Sequence, residues 1–407
     1  MYIKRERYLE KIMPFYDVDL IKVLTGVRRC GKSILLEQIQ EEFFENGFDK
    51  SHIIKINFED LQFEQIRTVE KLSNYIDEKI VDEDRYLIFL DEIQHVRSFE
   101  KVLASLRATK NCSVFITGSN SKLLSGKMAT LLVGRCIEFR IMPFSFSEGY
   151  EYLKSLGRKV TPDELIIDYI NWGGFPLRFS FTREKDIKKY LEQTYAGILD
   201  KDIITDQSKI NRQNLERVAS YVMANAGKEF SSGNIAAFFK KKNEELLDKK
   251  TIYRYLDKME KACLIDRVKR FNIVGKQAMT YVEKQYAVDT GFRMINTNLV
   301  NYEDTFFLEN IIYNELKSRD YEVFTGKTYK GEIDFVVINE RKKCFIQVAY
   351  YLGGKETIDR EFSAFKPISD AAPKYVMSLD RFDYSRDGIA HMNIVDFLLG
   401  KVDIYLM

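Results

Sequence analysis

The octet Gly26-Val27-Arg28-Arg29-Cys30-Gly31-Lys32-Ser33 constrains this chain more than any other stretch, because it fits G-x-x-x-x-G-K-[ST] without a mismatch. Its flanks supply the context the motif requires. "LIKVL" before it is a short apolar run, and "SILLEQIQEEFFENG" after it is amphipathic, so the octet joins a strand to a helix. Glycines at both ends let the backbone wrap a phosphate. The loop N–H groups and the following helix N-terminus solvate anionic oxygens, and Lys32 adds a full charge near the β- and γ-phosphates of a nucleotide. The spacing thus gives Gly26, Arg29, Cys30 and Gly31 backbone contacts, Lys32 the phosphates and Ser33 a Mg²⁺ ion. A chance match, or a fold that keeps the loop without nucleotide, is the competing reading, and the strand-loop-helix setting argues against it.

A second motif follows 59 residues beyond Lys32. "YLIFLDEIQ" places Asp91 and Glu92 at the carboxyl end of a fully apolar strand, where a parallel sheet positions its ligand-binding groups. Asp91 is expected to hold Mg²⁺ and Glu92 to polarise the attacking water of ATP hydrolysis. Two acids can simply end a buried strand, but beside the phosphate loop that is the weaker explanation. Ser119 and Asn120, in "FITGSNS", end the next expected strand and suit either γ-phosphate sensing or helix N-capping. Arg135, in "LLVGRCIEF", suits either transition-state charge stabilisation, from its own chain or a neighbouring subunit, or an ordinary surface salt bridge.

Around these motifs, residues 1–150 alternate apolar runs with longer amphipathic ones. "LIKVLTG", "HIIKINFED", "YLIFLDE", "CSVFITGS" and "CIEFRIMPF" read as strands. The expected fold class is therefore α/β, a P-loop NTPase parallel sheet covered by helices on both faces. After Pro143 the pattern becomes mainly helical. A run of short helices from about 205 ends in "KACLIDRVKRFNI", a helix entering a strand. The last hundred residues return to mixed α/β, with "FFLENIIYNELKSRDYEVF" as a helix and "GEIDFVVINE" and "CFIQVAYYL" as strands. These shifts divide the chain into 1–150, a helical lid or linker at 151–204, a helix-and-wing segment at 205–298, and 299–407. Five scattered cysteines lack metal spacing and suit reduced thiols in a cytoplasmic protein. Neither a signal peptide nor an apolar run long enough to span a membrane is evident.

"TGVRRCGKS", "KINFED", "FLDEIQ", "FITGSNSKLLSG", "LVGR" and "MPFSFSEGYEY" resemble, in that order, the N-terminal domain of a large family of predicted prokaryotic AAA-type ATPases. "GGFPLR" and "YAGILDKDI" continue the resemblance, and "GEIDFVV" with "IQVAY" resembles that family's C-terminal domain of unknown function. The resemblance implies an AAA+-like core, a helical and winged-helix middle, and a tail similar to restriction-endonuclease-like folds. By position, it implies phosphate-loop duty for Lys32 and Ser33, the acidic strand end for Asp91 and Glu92, the sensor region for Ser119, and the "GR" element for Arg135.

Net charge is only +2, so a nucleic-acid surface has to be local. From Lys228 to Arg270 there are twelve Lys/Arg against seven Asp/Glu, and Lys249, Lys250, Arg254 and Lys258 fall on the would-be recognition helix. DNA is the expected partner of that segment, with dimerisation or a lid role as the competing use. In the tail, Glu309 and Asp334 match two acids of a restriction-type metal site, with Glu332 on the same strand face as Asp334. The third element reads Gln347-Val348-Ala349, which supplies neither acid nor lysine, so a binding or regulatory role is expected rather than cleavage. Three functions remain: an Mg²⁺-ATPase coupled to DNA or protein binding, in a homo-oligomer if Arg135 acts between subunits; a slow nucleotide-dependent switch or assembly protein; and, least supported, a metal-dependent nuclease.

Overall fold

The computed structural model describes residues 2–119, 132–204, 210–229, 232–241, 247–275, 277–296, 304–329 and 331–407. They form two compact units, 1–142 with 261–263, and 143–260 with 264–407.

The first unit is built on five strands, β1 (Ile21–Thr25), β2 (Ile53–Asn57), β3 (Tyr86–Asp91), β4 (Cys112–Gly118) and β5 (Cys136–Arg140). All five apolar runs of the sequence are strands. They pair in the order β2-β3-β4-β1-β5, every pair parallel. Helices α1 (Glu6–Ile12), α2 (Lys32–Glu45), α3 (Val69–Lys79) and α4 (Phe99–Thr109) accompany them. On one face Ile21, Val23, Ile54, Ile56, Ile88 and Ile116 pack with Leu72 and Ile76 of α3 and Leu103 and Leu106 of α4. On the other, Phe115 stacks on Phe89 at 4.8 Å and meets Phe43 of α2 edge-on. Burial on both faces explains why β3 reads as an apolar run, each large side chain contributing about 1.5–3 kcal/mol, while the edge strands β2 and β5 are partly exposed and carry Lys55, Glu138 and Arg140.

The second unit opens with α5 (Phe146–Ser155), α6 (Pro162–Trp172) and α7 (Glu184–Ile198). Ser145 with Glu148, and Thr161 with Glu164, form capping boxes that fix where α5 and α6 begin. "GGFPLR" then makes a turn around a buried carboxylate. Gly173 has φ +68, and a Cβ there would lie 1.8 Å from Asp289 Oδ1. Gly174 N donates to Asp289 Oδ2 at 2.6 Å, while Arg178 Nε donates to Gly173 O at 2.6 Å.

Three helices follow, α8 (Arg212–Ala224), α9 (Ser232–Lys241) and α10 (Lys249–Lys261), then a hairpin of β6 (Ile265–Asn272) and β7 (Gln277–Ala287). After α11 (Thr290–Asn296) come α12 (Asp304–Ser318), β8 (Glu322–Lys327), β9 (Glu332–Asn339), β10 (Lys342–Val348), α13 (Lys355–Ser363), β11 (Lys374–Ser378), β12 (Ala390–Asn393) and α14 (Ile394–Leu398). The helix read through "FFLENIIYNELKSRDYEVF" is corrected here. It stops at Ser318 because Asp320 turns left-handed at φ +63 and Tyr321 N closes onto Leu316 O, and "YEVF" runs into β8. One sheet, in the order β12-β11-β10-β9-β8-β6-β7, takes in both the hairpin and the tail. Its β6–β8 pairing is parallel, through Arg270 and Thr325 to Asn272 and Lys327. The 298/299 boundary drawn from the sequence therefore falls between segments that share one sheet.

Candidate active site

The phosphate-loop octet leaves β1 at Thr25 and enters α2 at Lys32. Gly26 adopts φ +146, and a Cβ there would lie 2.2 Å from the Ile141 carbonyl oxygen, so the loop lies too close to the chain after β5 for any side chain. Arg5, from α1's approach, clamps the other side: its guanidinium donates to Cys30 O at 3.1 Å and Met142 O at 3.0 Å. Lys32 Nζ donates to Gly26 O at 3.0 Å and Val27 O at 3.2 Å. Ser33 is exposed on the first turn of α2, and among the described residues no side chain caps that helix. Its leading N–H groups face the loop as anion donors. Arg28, also within the loop, has a side-chain partner: Nη1 donates to Glu59 Oε1 at 3.0 Å.

Strand order brings the second motif to the same place. Because β4 lies between β3 and β1, and all are parallel, Asp91, Thr117 and Thr25 reach the carboxyl edge of the sheet together. Asp91 and Glu92 are 5% and 7% exposed. Thr117 Oγ1 donates to Asp91 Oδ1 and accepts from Glu92 N at 2.9 Å. Glu92 holds a left-handed backbone, φ +53, and its Oε2 accepts from Gln94 Nε2. Ser119 is buried one residue beyond β4, and Gly118 pairs with Thr25 at the start of the loop. Asn120 lies outside the described residues.

Arg135 is not brought to this edge. It is exposed, one residue before β5, and its carbonyl accepts from Ile21 N at the amino end of β1. Five residues of strand, about 16 Å, separate that level from Thr25 and Arg140. The reason is polarity: a residue preceding a parallel strand sits at the end opposite to one following it. An action of Arg135 on its own chain's loop does not fit this placement.

The tail forms a second cluster of acids. Glu309 of α12, Glu332 and Asp334 of β9 and Glu361 of α13 line a cavity of about 380 Å³ together with Gln347 and Lys284. Lys284, on the hairpin strand β7, was not anticipated. Its ammonium donates to Glu309 Oε1 at 2.8 Å, pairs with Glu332, and lies 3.8 Å from Asp334 Oδ1. Tyr286 also donates to Glu309, and Val348 N donates to Asp334 Oδ2 at 2.8 Å. Burial alone would lower the Lys284 pKa, but the carboxylates of Glu309, Asp334 and Glu332 outweigh it and raise it. Burial, then the neighbouring Glu309, pushes Asp334 well above the usual carboxylate range.

On α10, Lys249, Lys250 and Arg254 are exposed and Lys258 half-buried, while Ile252, Tyr255, Leu256 and Met259 face inward. Thr251 N donates to Asp248 Oδ1 at 2.9 Å at the start of this helix.

A five-stranded parallel sheet whose phosphate loop and acidic strand end meet across an interposed strand defines the P-loop NTPase α/β fold. The chain belongs to an AAA family: the profile described as "AAA domain" matches residues 19–150, and one described as "Domain of unknown function (DUF8612)" matches 163–302. An uncharacterised protein of Haemophilus influenzae is 32% identical over 405 residues, 98% of each chain. A second, of Methanocaldococcus jannaschii, is 29% identical over 92% of this chain and 85% of its own. Among solved structures, the Walker-type ATPase of Pyrococcus abyssi is similar at 15% identity and TM-score 0.48, over 73% of this chain and 96% of that one. The ORC2 protein of Aeropyrum pernix, in ADPNP and ADP complexes, is similar at 12% identity and TM-score 0.39, over 77% and 92%. Among the described residues, no helix is long and apolar enough to cross a membrane.

Proposed function

We propose that this chain binds Mg²⁺-ATP at the β1–α2 loop and hydrolyses it, and that nucleotide state governs engagement of DNA or a partner protein by the module around α10. The observation that carries this reading is the convergence of Gly26, Lys32, Ser33, Asp91 and Glu92 on one edge of the first sheet. The residues fit the nucleotide: the backbone at Gly26 is too tightly apposed for any side chain, the α2 N-terminus offers uncapped donors, and the two acids have neutral partners. Ser33 and Asp91 would hold Mg²⁺, which when bound supplies charge neutralisation between the β- and γ-phosphates. The backbone from Gly26 to Gly31, including Arg29 and Cys30, wraps the phosphates, and Lys32 exchanges its two carbonyl partners for phosphate oxygens. Glu92 orients the attacking water and takes a proton from it at its carboxylate. Ser119, beside the loop, is placed for a γ-phosphate contact, and Asn120 is proposed for the same duty. Arg135 is left with a role between subunits of a homo-oligomer.

The helices α8 to α10 followed by a hairpin have the order of a winged helix, which supports DNA contact through Lys249, Lys250, Arg254 and Lys258. Five free cysteines suit a cytoplasmic setting. For the tail we propose binding or regulation over cleavage, because the Lys284 ammonium already pairs with Glu309 and Glu332, two of the acids a metal would need. One observation favours the slow-switch alternative: Gln94 occupies one oxygen of the Glu92 carboxylate.

ATP turnover by the purified protein, with and without DNA, tests the reading. Lys32→Ala is expected to weaken nucleotide binding by roughly 100-fold. Absence of turnover in both conditions would overturn hydrolysis. Function that survives Glu92→Gln but fails in Lys32→Ala would establish the switch instead.

A further inference from the structure

We infer that Thr117 is a positioning residue that ties the Mg²⁺-binding carboxylate of Asp91 to the water-polarising residue Glu92, so that the two acids move as one body. This rests on the nucleotide reading above and deepens it. Thr117 is fully buried on β4, the strand interposed between the loop strand β1 and the acidic strand β3. Its hydroxyl carries a single proton, which it gives to Asp91 Oδ1. The same oxygen therefore has only lone pairs to offer Glu92 N, which donates to it at 2.9 Å.

Each bond constrains the chemistry of one acid. The donated proton occupies one oxygen of Asp91 and leaves Oδ2 to face a cation. The accepted bond holds Glu92 in a left-handed backbone, φ +53, that a glutamate otherwise avoids. A shift of Asp91 when a metal binds is passed through one oxygen atom to the backbone of Glu92. Outer partners of this kind ordinarily tune metal affinity by about 10–100-fold.

Valine matches threonine in shape and suits a buried strand, so Thr117→Val removes both bonds while preserving the packing. Thr117→Ser restores the hydroxyl without the methyl. The test combines turnover with a magnesium titration, reading the affinity for a fluorescent non-hydrolysable ATP analogue. In Thr117→Val we expect metal-free analogue affinity to be unchanged and the magnesium concentration for half-saturation to rise about 10-fold. The kcat is expected to fall about 100-fold, and Thr117→Ser to recover both quantities. Wild-type protein that binds the analogue without turning over ATP would sink hydrolysis alone, and the titration would still decide Thr117. Unchanged titration and kcat in Thr117→Val, or a Thr117→Ser variant equally impaired, would overturn the inference with hydrolysis intact. Lost metal-free affinity in Thr117→Val would do the same, by assigning Thr117 to the fold.

Discussion

Lys32 and Lys284 are both buried lysines beside acidic strand ends, and they are satisfied in opposite ways. Lys32 donates to two backbone carbonyls, while Asp91 and Glu92 accept from the neutral Thr117 and Gln94. Lys284 instead closes directly on Glu309 and Glu332, with Asp334 just beyond. In the first unit the partners of the charged groups are neutral, so no ion pair has to be broken before a ligand can approach. In the second a lysine closes directly on carboxylates within the protein, and a ligand would first have to break an ion pair whose two side chains are only 4% and 3% exposed. Under the proposed function, similar residues thus serve capture in one sheet and cohesion in the other.

The sharpest way to break that contrast is Lys284→Met. Removing one partner of a buried pair strands its charges, so a loss of about 3–5 kcal/mol is expected in urea unfolding. Nucleotide affinity should not change, and adding Glu309→Gln should recover some of the lost stability. A stability change under about 1 kcal/mol would mean that the pocket is not a closed ion pair. On the other side, Glu92→Gln should leave the fold intact and lower kcat by about two to three orders of magnitude. Equal damage to stability would erase the distinction between the two lysine sites.

A third test uses Asp289, whose carboxyl is pushed up to about 6 by burial, against the opposing Gly174 and Gly291 N–H bonds and the Arg178 charge. The folded state then holds this proton more tightly than the unfolded state, whose value is near 3.8. Stability from this group is present below about pH 4 and is lost as pH rises to about 6, a change of about 3 kcal/mol. Urea midpoints across that range should slope downward in the wild type and less so in Asp289→Asn. The smallest effect is expected on α10. If it contacts DNA phosphates, Lys249→Ala and Arg254→Ala each lower the salt slope of binding by about 0.9, measured by fluorescence anisotropy. An unchanged slope would remove DNA from this face.

The first unit was legible because its chemistry is local: the loop is contiguous, Asp91 and Glu92 adjoin, and strands buried on both faces announce themselves as apolar runs. The features that escaped depend on strand order. Thr117 sits inside "FITGS" and reads as strand interior until β4 is known to lie between β1 and β3. The placement of Arg135 was within reach, since a residue that precedes a strand of a parallel sheet lies at the end opposite to the loop that follows β1. Lys284 had no signal at all. It lies 25 residues before Glu309 and 50 before Asp334, on a hairpin that read as the wing of a different module. "GGFPLR" was visible as part of the family resemblance, but its reason, a carboxylate from Asp289 pressed against Gly173 and Gly174, lies more than a hundred residues away.

The parallel pairing of β6 with β8 has a consequence for how such chains can be inherited. Recombination between relatives near residue 298 would divide a pair of strands that share a ladder and leave both with open edges prone to adhesion. It would also separate Lys284 from the acids it pairs with. A viable exchange of the tail has to carry the hairpin with it, so the natural unit of shuffling begins upstream of Ile265, inside what the sequence presents as the middle of the protein.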